Sequence, residues 1–281
     1  MCSPSCWTRR RRLGCFPSSG QPICLPTILI RKPFLGRVPR IGYPGGKSGL
    51  AKPITRFMPP FGRRYVEPFA GRGNIFWAAA TYLNYEEWWI NDLQTAPFFE
   101  ALWDIGNSII VPPLTAEEYE RQKIAFAQGS REAILLEPYF SFSGFGFKFS
   151  GCTGKRERPT KPEGYQRTLR SCHGILHRTN ARITGLDFKD MHLEELGPDD
   201  FVYIDAPYLS GNVKTYSSDT VDFRYLFGLL EKPNFRWLLS EYPESTYFEH
   251  FGDPCYVQDV KLLCTRTGKE EVRTECLWKN F

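Results

Sequence analysis

The 281-residue sequence has no apolar run that approaches the roughly 18 residues needed to cross a bilayer, which excludes an integral membrane protein. It also has no secretion-signal pattern, because prolines interrupt the apolar stretch behind the arginines at 9–12. The 42% of apolar residues, with 22 Phe, 14 Tyr and 7 Trp, allow a substantial core and exclude an intrinsically disordered chain. The length allows one large domain or two small ones.

Paired metal-binding cysteines are absent as well, since none of the nine cysteines forms a Cys-x-x-Cys pair. An odd, unpatterned set without a signal peptide indicates reduced thiols and a cytoplasmic protein. Cys172, His173 and His177 lie close together in sequence, but no second ligand pair follows them. We therefore expect no metal site.

Acidic residues are missing from residues 1–40, which hold eight Lys or Arg. The net charge of +5 thus divides into this basic segment and a remainder of −3. Within the remainder, residues 152–182 carry eight basic and two acidic residues, which suits contact with an anionic polymer. A solvated surface stretch is the alternative interpretation. Residues 1–40 also lack helical or strand periodicity, and we expect a disordered leader there.

A change of pattern begins at Ile41. A strand at 64–66, a Gly-rich loop, an apolar helix at 74–83 and a strand at 88–90 that ends in Asn-Asp form one βαβ unit. The stretch 98–182 differs and contains helical pieces, one of them marked by a capping box of Thr115 and Glu118.

The sheet pattern resumes after this stretch. The continuous apolar run at 201–204 predicts a fully buried parallel strand. A helix near 222–231 and strands near 235–240, 256–264 and 272–278 complete the pattern. The sequence therefore predicts an α/β architecture with an inserted module.

The first of three motif clusters is Gly-Tyr-Pro-Gly-Gly-Lys-Ser at 42–48. A phosphate-binding P-loop would need a further glycine at position 41, which is Ile, and a buried strand before it. Both are missing, so this cluster does not indicate an NTPase.

The second cluster runs from Glu67 to Asn74, with Asp92 nineteen residues beyond Gly73. Glycines after a strand let backbone amides approach a ligand, and an acid at the end of the next strand binds a ribose hydroxyl. This spacing favours nucleoside binding. The third glycine of a dinucleotide fingerprint is replaced by Phe76, which disfavours NAD.

The third cluster is Asp205-Ala206-Pro207-Tyr208, directly after the apolar run at 201–204. Asp, Pro and Tyr all occur in turns, so one interpretation is simply a turn that ends a strand. Ligands of open α/β sheets, however, bind beyond the carboxyl ends of strands, where this tetrad would lie.

In this order the three clusters resemble the Dam-like, D12-class adenine-N6 DNA methyltransferases, which use S-adenosylmethionine (AdoMet). That family has an aromatic residue and Gly-Gly-Lys, then Glu-Pro-Phe-x-Gly-x-Gly, then Asn-Asp and, after a target-recognition insert, Asp-Pro-Pro-Tyr. The resemblance covers about 41–281, including a closing strand at 266–280. It implies a Rossmann-like methyltransferase sheet with helices on both faces, formed by 41–97 and 183–281, and a partly helical recognition insert at 98–182.

The resemblance also implies roles for individual residues. AdoMet would be held by Tyr43, Lys47, the loop glycines Gly71 and Gly73, Asp92 at the ribose, Asp187 at the cofactor adenine, and Asp205. Asp205, Pro207 and Tyr208 match the catalytic tetrad, whereas Ala206 replaces its first proline.

These residue types suit methylation of adenine N6, whose lone pair is delocalised into the ring. If the Asp205 carboxylate and the carbonyl of residue 206 accept its two hydrogens, the nitrogen can direct its lone pair at a methyl group. Tyr208 would stack on the base after it flips from the duplex. No metal is required.

Double-stranded DNA is the implied partner, and a monomer is favoured. The phosphates of the DNA would be contacted by basic residues of the insert, namely Lys155, Arg156, Arg158, Arg167 and Arg170. Two alternatives stay open: a protein of the same fold that binds AdoMet and DNA without turnover, which Ala206 suggests, and an α/β enzyme with another nucleotide cofactor.

Overall fold

A computed structural model describes residues 37–43, 46–141, 146–147, 161–208, 221–263 and 270–281. Seven strands form one sheet: β1 (Phe61–Glu67), β2 (Asn84–Asn91), β3 (Arg182–Thr184), β4 (Phe201–Ile204), β5 (Arg236–Glu241), β6 (Tyr256–Leu263) and β7 (Glu270–Lys279). The α-helices are α1 (Ala51–Thr55), α2 (Asn74–Tyr82), α3 (Ala96–Ile105), α4 (Ala116–Ala127), α5 (Arg131–Phe140), α6 (Pro162–Thr179), α7 (Phe223–Glu231) and α8 (Ser245–Phe251).

The strands lie in the order β3-β2-β1-β4-β5-β7-β6. Strands β1 to β5 pair in parallel, and β7 is inserted antiparallel between β5 and β6. The chain therefore builds outward from β1 in one direction and from β4 in the other, which is the doubly wound arrangement.

Two apolar cores cover the two faces of this sheet. Because side chains alternate along a strand, Tyr65 of β1 enters one core and Val66 the other. The first core contains α2, α3 and α6, and the second contains α7 and α8. The predicted fold class, a Rossmann-like α/β sheet with helices on both faces, is confirmed, and β4 is buried along its whole length as expected.

The predicted insert shares the first core with the sheet. Half of its capping box forms: the Thr115 hydroxyl accepts from the Glu118 amide at 3.1 Å where α4 begins, while the Glu118 carboxylate accepts from Arg121 and Gln122 instead. Helix α6 buries Leu169, Cys172 and Leu176 completely against that core. Within the described residues, α6 thus packs in the helical layer on one face of the sheet. The proposed division into domains stays a prediction.

Among the described helices, none combines the length and the apolar character that a membrane span requires.

The shared core gives a first prediction. Leu176→Ala removes a fully buried side chain from α6. It should lower the free energy of unfolding of the whole fold by about 2–5 kcal/mol, measured as a shift of one cooperative urea transition. Arg170→Ala, at an exposed position of the same helix, should change stability by less than about 0.5 kcal/mol. An unchanged main transition in Leu176→Ala would show that α6 unfolds independently of the sheet.

Candidate functional site

A cavity of about 380 Å³ opens at the carboxyl ends of the parallel strands. The loops after β1 and β4 leave this edge in opposite directions, so the cavity lies at the topological switch point of the sheet. Its walls bring together eight of the residues that the sequence predicted: Tyr43, Lys47, Gly71, Asp92, Asp187, Asp205, Pro207 and Tyr208.

The loop after β1 depends on two glycines with positive φ. Gly71 has φ 54°, and a Cβ placed there would lie 2.8 Å from the Tyr43 ring. Gly73 has φ 73° and precedes the first residue of α2, outside the wall of the cavity. The left-handed conformation strains other residue types. The backbone of the loop therefore approaches the cavity without a side chain at Gly71, whereas a Cβ at Gly73 would lie 3.0 Å from Trp77 and Phe99.

Asp92 holds the backbone around this loop. Its Oδ1 accepts from the amides of Gln94 at 2.9 Å and Thr95 at 2.8 Å, and its Oδ2 accepts from the amide of Gly71 at 2.9 Å. A carboxylate has about four acceptor positions, so one position on Oδ2 is left for a ligand hydroxyl. The predicted ribose-binding residue thus also stabilises the loop and the start of α3.

Asn91 is a positioning residue that the sequence reasoning included in the Asn-Asp pair but gave no role. Its Nδ2 donates to the carbonyls of Pro68 and Leu186, each at 2.9 Å, and its Oδ1 accepts from the Leu186 amide and the Thr184 hydroxyl, each at 2.8 Å. All its hydrogen-bonding capacity is used. Asn91 therefore joins the ends of β1, β2 and β3, and its place beside Asp92 was the signal that pointed to it.

Asn74, the first residue of α2, fixes the segment that carries Tyr43 and Lys47. Its side chain accepts from the Ile41 amide at 3.1 Å and donates to the Ile41 carbonyl at 2.9 Å. This segment therefore packs against the glycine loop, and Tyr43 lies against Gly71. The sequence reasoning included Asn74 in the motif but gave it no role.

Arg72, between the two glycines, is buried and pairs with Glu137 of α5. The other oxygen of Glu137 accepts from the Gly146 amide at 3.1 Å. The glycine loop is therefore connected to the part of the chain that precedes the basic stretch.

Asp187 lies on the opposite side of the cavity from β4. Its carboxylate accepts from the Lys189 amide at 3.0 Å and caps a short 3₁₀ helix, Phe188–Met191. This turn brings Asp187, Phe188 and Leu186 into the cavity wall, where an acid beside apolar groups suits a purine ring with an exocyclic amine.

Lys47 is buried among acidic groups. Its Nζ lies 3.1 Å from Asp205 Oδ1 and 3.0 Å from Glu275 Oε2, and it also contacts the Tyr208 hydroxyl. Burial lowers the pKa of Lys47, but the charges of Asp205 and Glu275 outweigh this effect and leave the pKa raised. The lysine therefore stays protonated.

Asp205 follows β4 directly and faces this ammonium. Burial raises the pKa of Asp205 to about 6; the Lys47 charge opposes that increase and the Glu275 charge adds to it. The carboxylate is thus ionised at neutral pH but loses its charge in mild acid. Ala206 beside it is buried in the second core, and Pro207 lines the cavity.

Glu275, on β7, is a site residue that the sequence reasoning overlooked. Its carboxylate accepts from the Tyr208 hydroxyl at 2.9 and 3.1 Å and from Ser240 at 3.4 Å, besides pairing with Lys47. The available signal was a single acid directly before the apolar run Cys276–Trp278 of the closing strand.

Glu67, at the end of β1, adds a further carboxyl to the cavity wall. Burial raises the pKa of Glu67 well above its ordinary value. The hydrogen bond from Tyr65, at 2.7 Å, opposes that increase, and the nearby charges of Asp205 and Asp92 add to it. These causes favour a protonated, uncharged Glu67.

The basic residues predicted to bind DNA fall into two groups. Arg167 and Arg170 are exposed on α6, whereas Lys155, Arg156 and Arg158 lie outside the described residues. Helix α6 is about 27 Å long and ends just before the amino end of β3, so its first turns extend toward the edge of the sheet that carries the cavity.

The Cys-His segment of α6 has other contacts. Cys172 is buried in the first core, and the His177 ring stacks on Trp103 with its Nε2 3.0 Å from the Trp103 carbonyl. In the described parts of the chain, no three metal-ligating side chains come together.

Residues 43–102 match the model of the D12 class N6 adenine-specific DNA methyltransferase family. This segment contains the glycine loop and the Asn-Asp pair, and the match confirms the resemblance drawn from them. No curated protein matches the sequence significantly.

One similar solved structure is the "crystal structure of a putative RNA methyltransferase PH1948 from Pyrococcus horikoshii", with TM-score 0.37 and 10% identity over 90% of this chain and 92% of that chain. A TM-score this low carries no argument about activity. The family match and the observed fold support a methyltransferase.

The glycine loop gives a second prediction. Gly71→Ala imposes both a left-handed conformation and a collision with Tyr43, and should cost about 2–4 kcal/mol of folding free energy. Gly129→Ala has a similar positive φ but open space around its Cβ, and should cost only about 1–2 kcal/mol. Urea unfolding measures both. Equal losses would show that Tyr43 does not pack against Gly71.

Proposed function

We propose that this protein transfers the methyl group of AdoMet to N6 of adenine in double-stranded DNA. The observation that carries the proposal is the single cavity in which the glycine loop, Asp92 and the Asp205–Tyr208 tetrad meet. The first two elements suit a nucleoside cofactor, and the tetrad suits an exocyclic amine. The family match at 43–102 supports the same activity.

The backbone wall and the acidic residues of the cavity support AdoMet as the cofactor. At Gly71 the wall is backbone alone, and a side chain there would fill the space against Tyr43. The ribose would bind the remaining acceptor position of Asp92, and the cofactor adenine would bind near Asp187. When bound, the cofactor supplies a methyl group on a positively charged sulfur, which the acidic wall stabilises.

Asp205 would act on the target amine. Its carboxylate accepts one N6 hydrogen and the carbonyl of Ala206 accepts the other, so that the nitrogen lone pair points at the methyl group. The pKa of about 6 keeps Asp205 ionised at neutral pH. Tyr208 would stack on the flipped base, a contact worth about 1–3 kcal/mol.

Ala206 motivates the second candidate function, an AdoMet- and DNA-binding protein without turnover. Alanine keeps the backbone carbonyl that the mechanism uses and lacks only the fixed φ of proline. Ala206 is also buried in the second core, which restrains its backbone. These features favour an active enzyme over the second candidate.

We infer a cytoplasmic protein, because the cysteine pattern indicates reduced thiols, and a monomer, because the residues of the proposed site come from one chain.

Methyl transfer tests the proposal. We expect the full chain to convert adenine to N6-methyladenine in unmethylated duplex DNA under single-turnover conditions at saturating AdoMet, read out by nucleoside analysis. Asp205→Ala should lower the rate by at least about a thousandfold, because the amine loses its acceptor. Asp199→Ala, an exposed acid at the opposite edge of the sheet, is the matched control and should keep the wild-type rate.

Calorimetry separates the candidates. AdoMet and DNA binding without any product would identify the protein without turnover, and absence of AdoMet binding would contradict both candidates. Full activity in Asp205→Ala would overturn the assigned mechanism.

The DNA surface gives a further prediction. Arg167→Glu combined with Arg170→Glu should weaken DNA binding and reduce the slope of log affinity against log salt by about two, one for each lost phosphate contact. AdoMet affinity should stay unchanged. Arg224→Glu combined with Lys232→Glu makes the same charge change at exposed positions around α7 and serves as control. An unchanged slope in the α6 variant would place the DNA surface elsewhere.

A further inference from the structure

The contacts of Glu275 indicate a role in the proposed reaction, although no sequence motif marked this residue. Its side chain is only 12% exposed and faces Lys47, Tyr208 and Ser240. Both carboxylate oxygens lie within 3.1 Å of the Tyr208 hydroxyl. A buried carboxylate is tolerated only where such partners replace water.

The hydrogen bonds to Glu275 hold Tyr208 against the face of β7 that carries this glutamate. Two residues away on the same face, Arg273 donates to the Tyr242 hydroxyl at 2.9 Å, and the rings of Tyr208 and Tyr242 meet edge to face at 4.1 Å. The two side chains of β7 therefore fix the two tyrosine rings by their hydroxyl groups. The plane on which a base would stack depends on Glu275.

Charge connects Glu275 to the catalytic carboxylate as well. Asp205 and Glu275 share the single ammonium of Lys47, at 3.1 and 3.0 Å. The cluster holds two carboxylates and one cation, so it carries a net negative charge in a buried site. A stronger ion pair between Glu275 and Lys47 therefore weakens the ion pair between Asp205 and the same lysine.

We propose that Glu275 is a positioning residue of the methyl-transfer site, which orients the Tyr208 ring through its hydroxyl and competes with Asp205 for Lys47. The inference rests on the proposed function. It goes beyond that function because it assigns to β7 the control of the stacking surface and of the proton affinity of the catalytic acid.

The effect of Glu275 on Asp205 has a definite sign. The charged groups that act on Asp205 are Lys47 from the N-terminal segment and Glu275 from β7. The other titratable groups that face it are Glu67 from β1, Tyr203 from β4 and Glu241 from β5, and the charge of Asp205 raises the pKa of each of them. Glu275→Gln removes a like charge and leaves Lys47 to Asp205 alone. Both changes lower the pKa of Asp205.

The test compares pH profiles of single-turnover methyl transfer. The wild-type rate should fall below a midpoint of about pH 6, because the protonated Asp205 no longer accepts the N6 hydrogen. In Glu275→Gln the midpoint should move down by about one pH unit, while the plateau rate stays near wild type because the amide oxygen still accepts from Tyr208. In Glu275→Ala the plateau should fall about ten- to a hundredfold, because the ring loses its anchor.

Asp259→Asn is the matched control. Asp259 pairs with Thr274 on the other face of the same hairpin, so this variant removes one acid without touching the cluster and should reproduce the wild-type profile. A Glu275→Gln profile that coincides with wild type would overturn the proposal, and so would a plateau in Glu275→Ala equal to that of wild type.

A second measurement does not depend on turnover. The Asp205 carboxyl carbon, labelled with carbon-13 and assigned by its loss in Asp205→Asn, is titrated by NMR in wild type and Glu275→Gln. A lower midpoint in the variant supports the link between Glu275 and Asp205 even if the wild type transfers no methyl group, in which case the proposed function alone fails. Coincident titrations overturn the link.

Discussion

The pairing of Lys47 with Asp205 and Glu275 is the constraint on which the shape of the site depends. A lysine ammonium that is almost wholly removed from water must be neutralised, and here its partners come from the end of β4 and from β7. The segment that carries Lys47 and Tyr43 is thereby held across the carboxyl edge of the sheet. Lys47 and Asp205 line the cavity, and their cluster with Glu275 sets the charge of the residue proposed to act on the amine.

The other polar residues at the carboxyl edge of the sheet form hydrogen bonds with the protein backbone. Asp92, Asn91 and Asn74 satisfy amides and carbonyls of loops that leave the strands and would otherwise be unpaired. A cavity whose floor is bonded in this way is organised before any ligand enters. Such preorganisation is what electrostatic stabilisation of a transferring group requires.

The basic helix α6 belongs to the same rigid structure. Its apolar side packs on α2 and α3 in the first core, and its exposed side presents Arg167 and Arg170. The buried pair of Arg72 with Glu137 connects the glycine loop to α5 in a similar way. The arginines proposed to contact DNA and the cavity proposed to bind AdoMet therefore rest on one core.

Local sequence determined most of the elements and the positions of the motifs. The apolar run at 201–204, the capping box at Thr115 and the glycines at 71 and 73 are short-range signals, because burial, capping and positive φ act on neighbouring residues. They were enough to predict the α/β class, whereas the eight residues that the structure brings into one cavity were predicted from the order of the motifs and the family that they resemble.

Only the tertiary structure decided which of these groups face one another. Glu275 meets Lys47 because β7 enters the sheet antiparallel beside β5, an insertion that no local pattern encodes. Asn91 joins three strand ends through bonds that exist only once β3 lies beside β2, and α6 joins the core although its basic composition suggested a separate surface module. Strand order and register bring together residues that are far apart in sequence, and the charge of Asp205 follows from that juxtaposition.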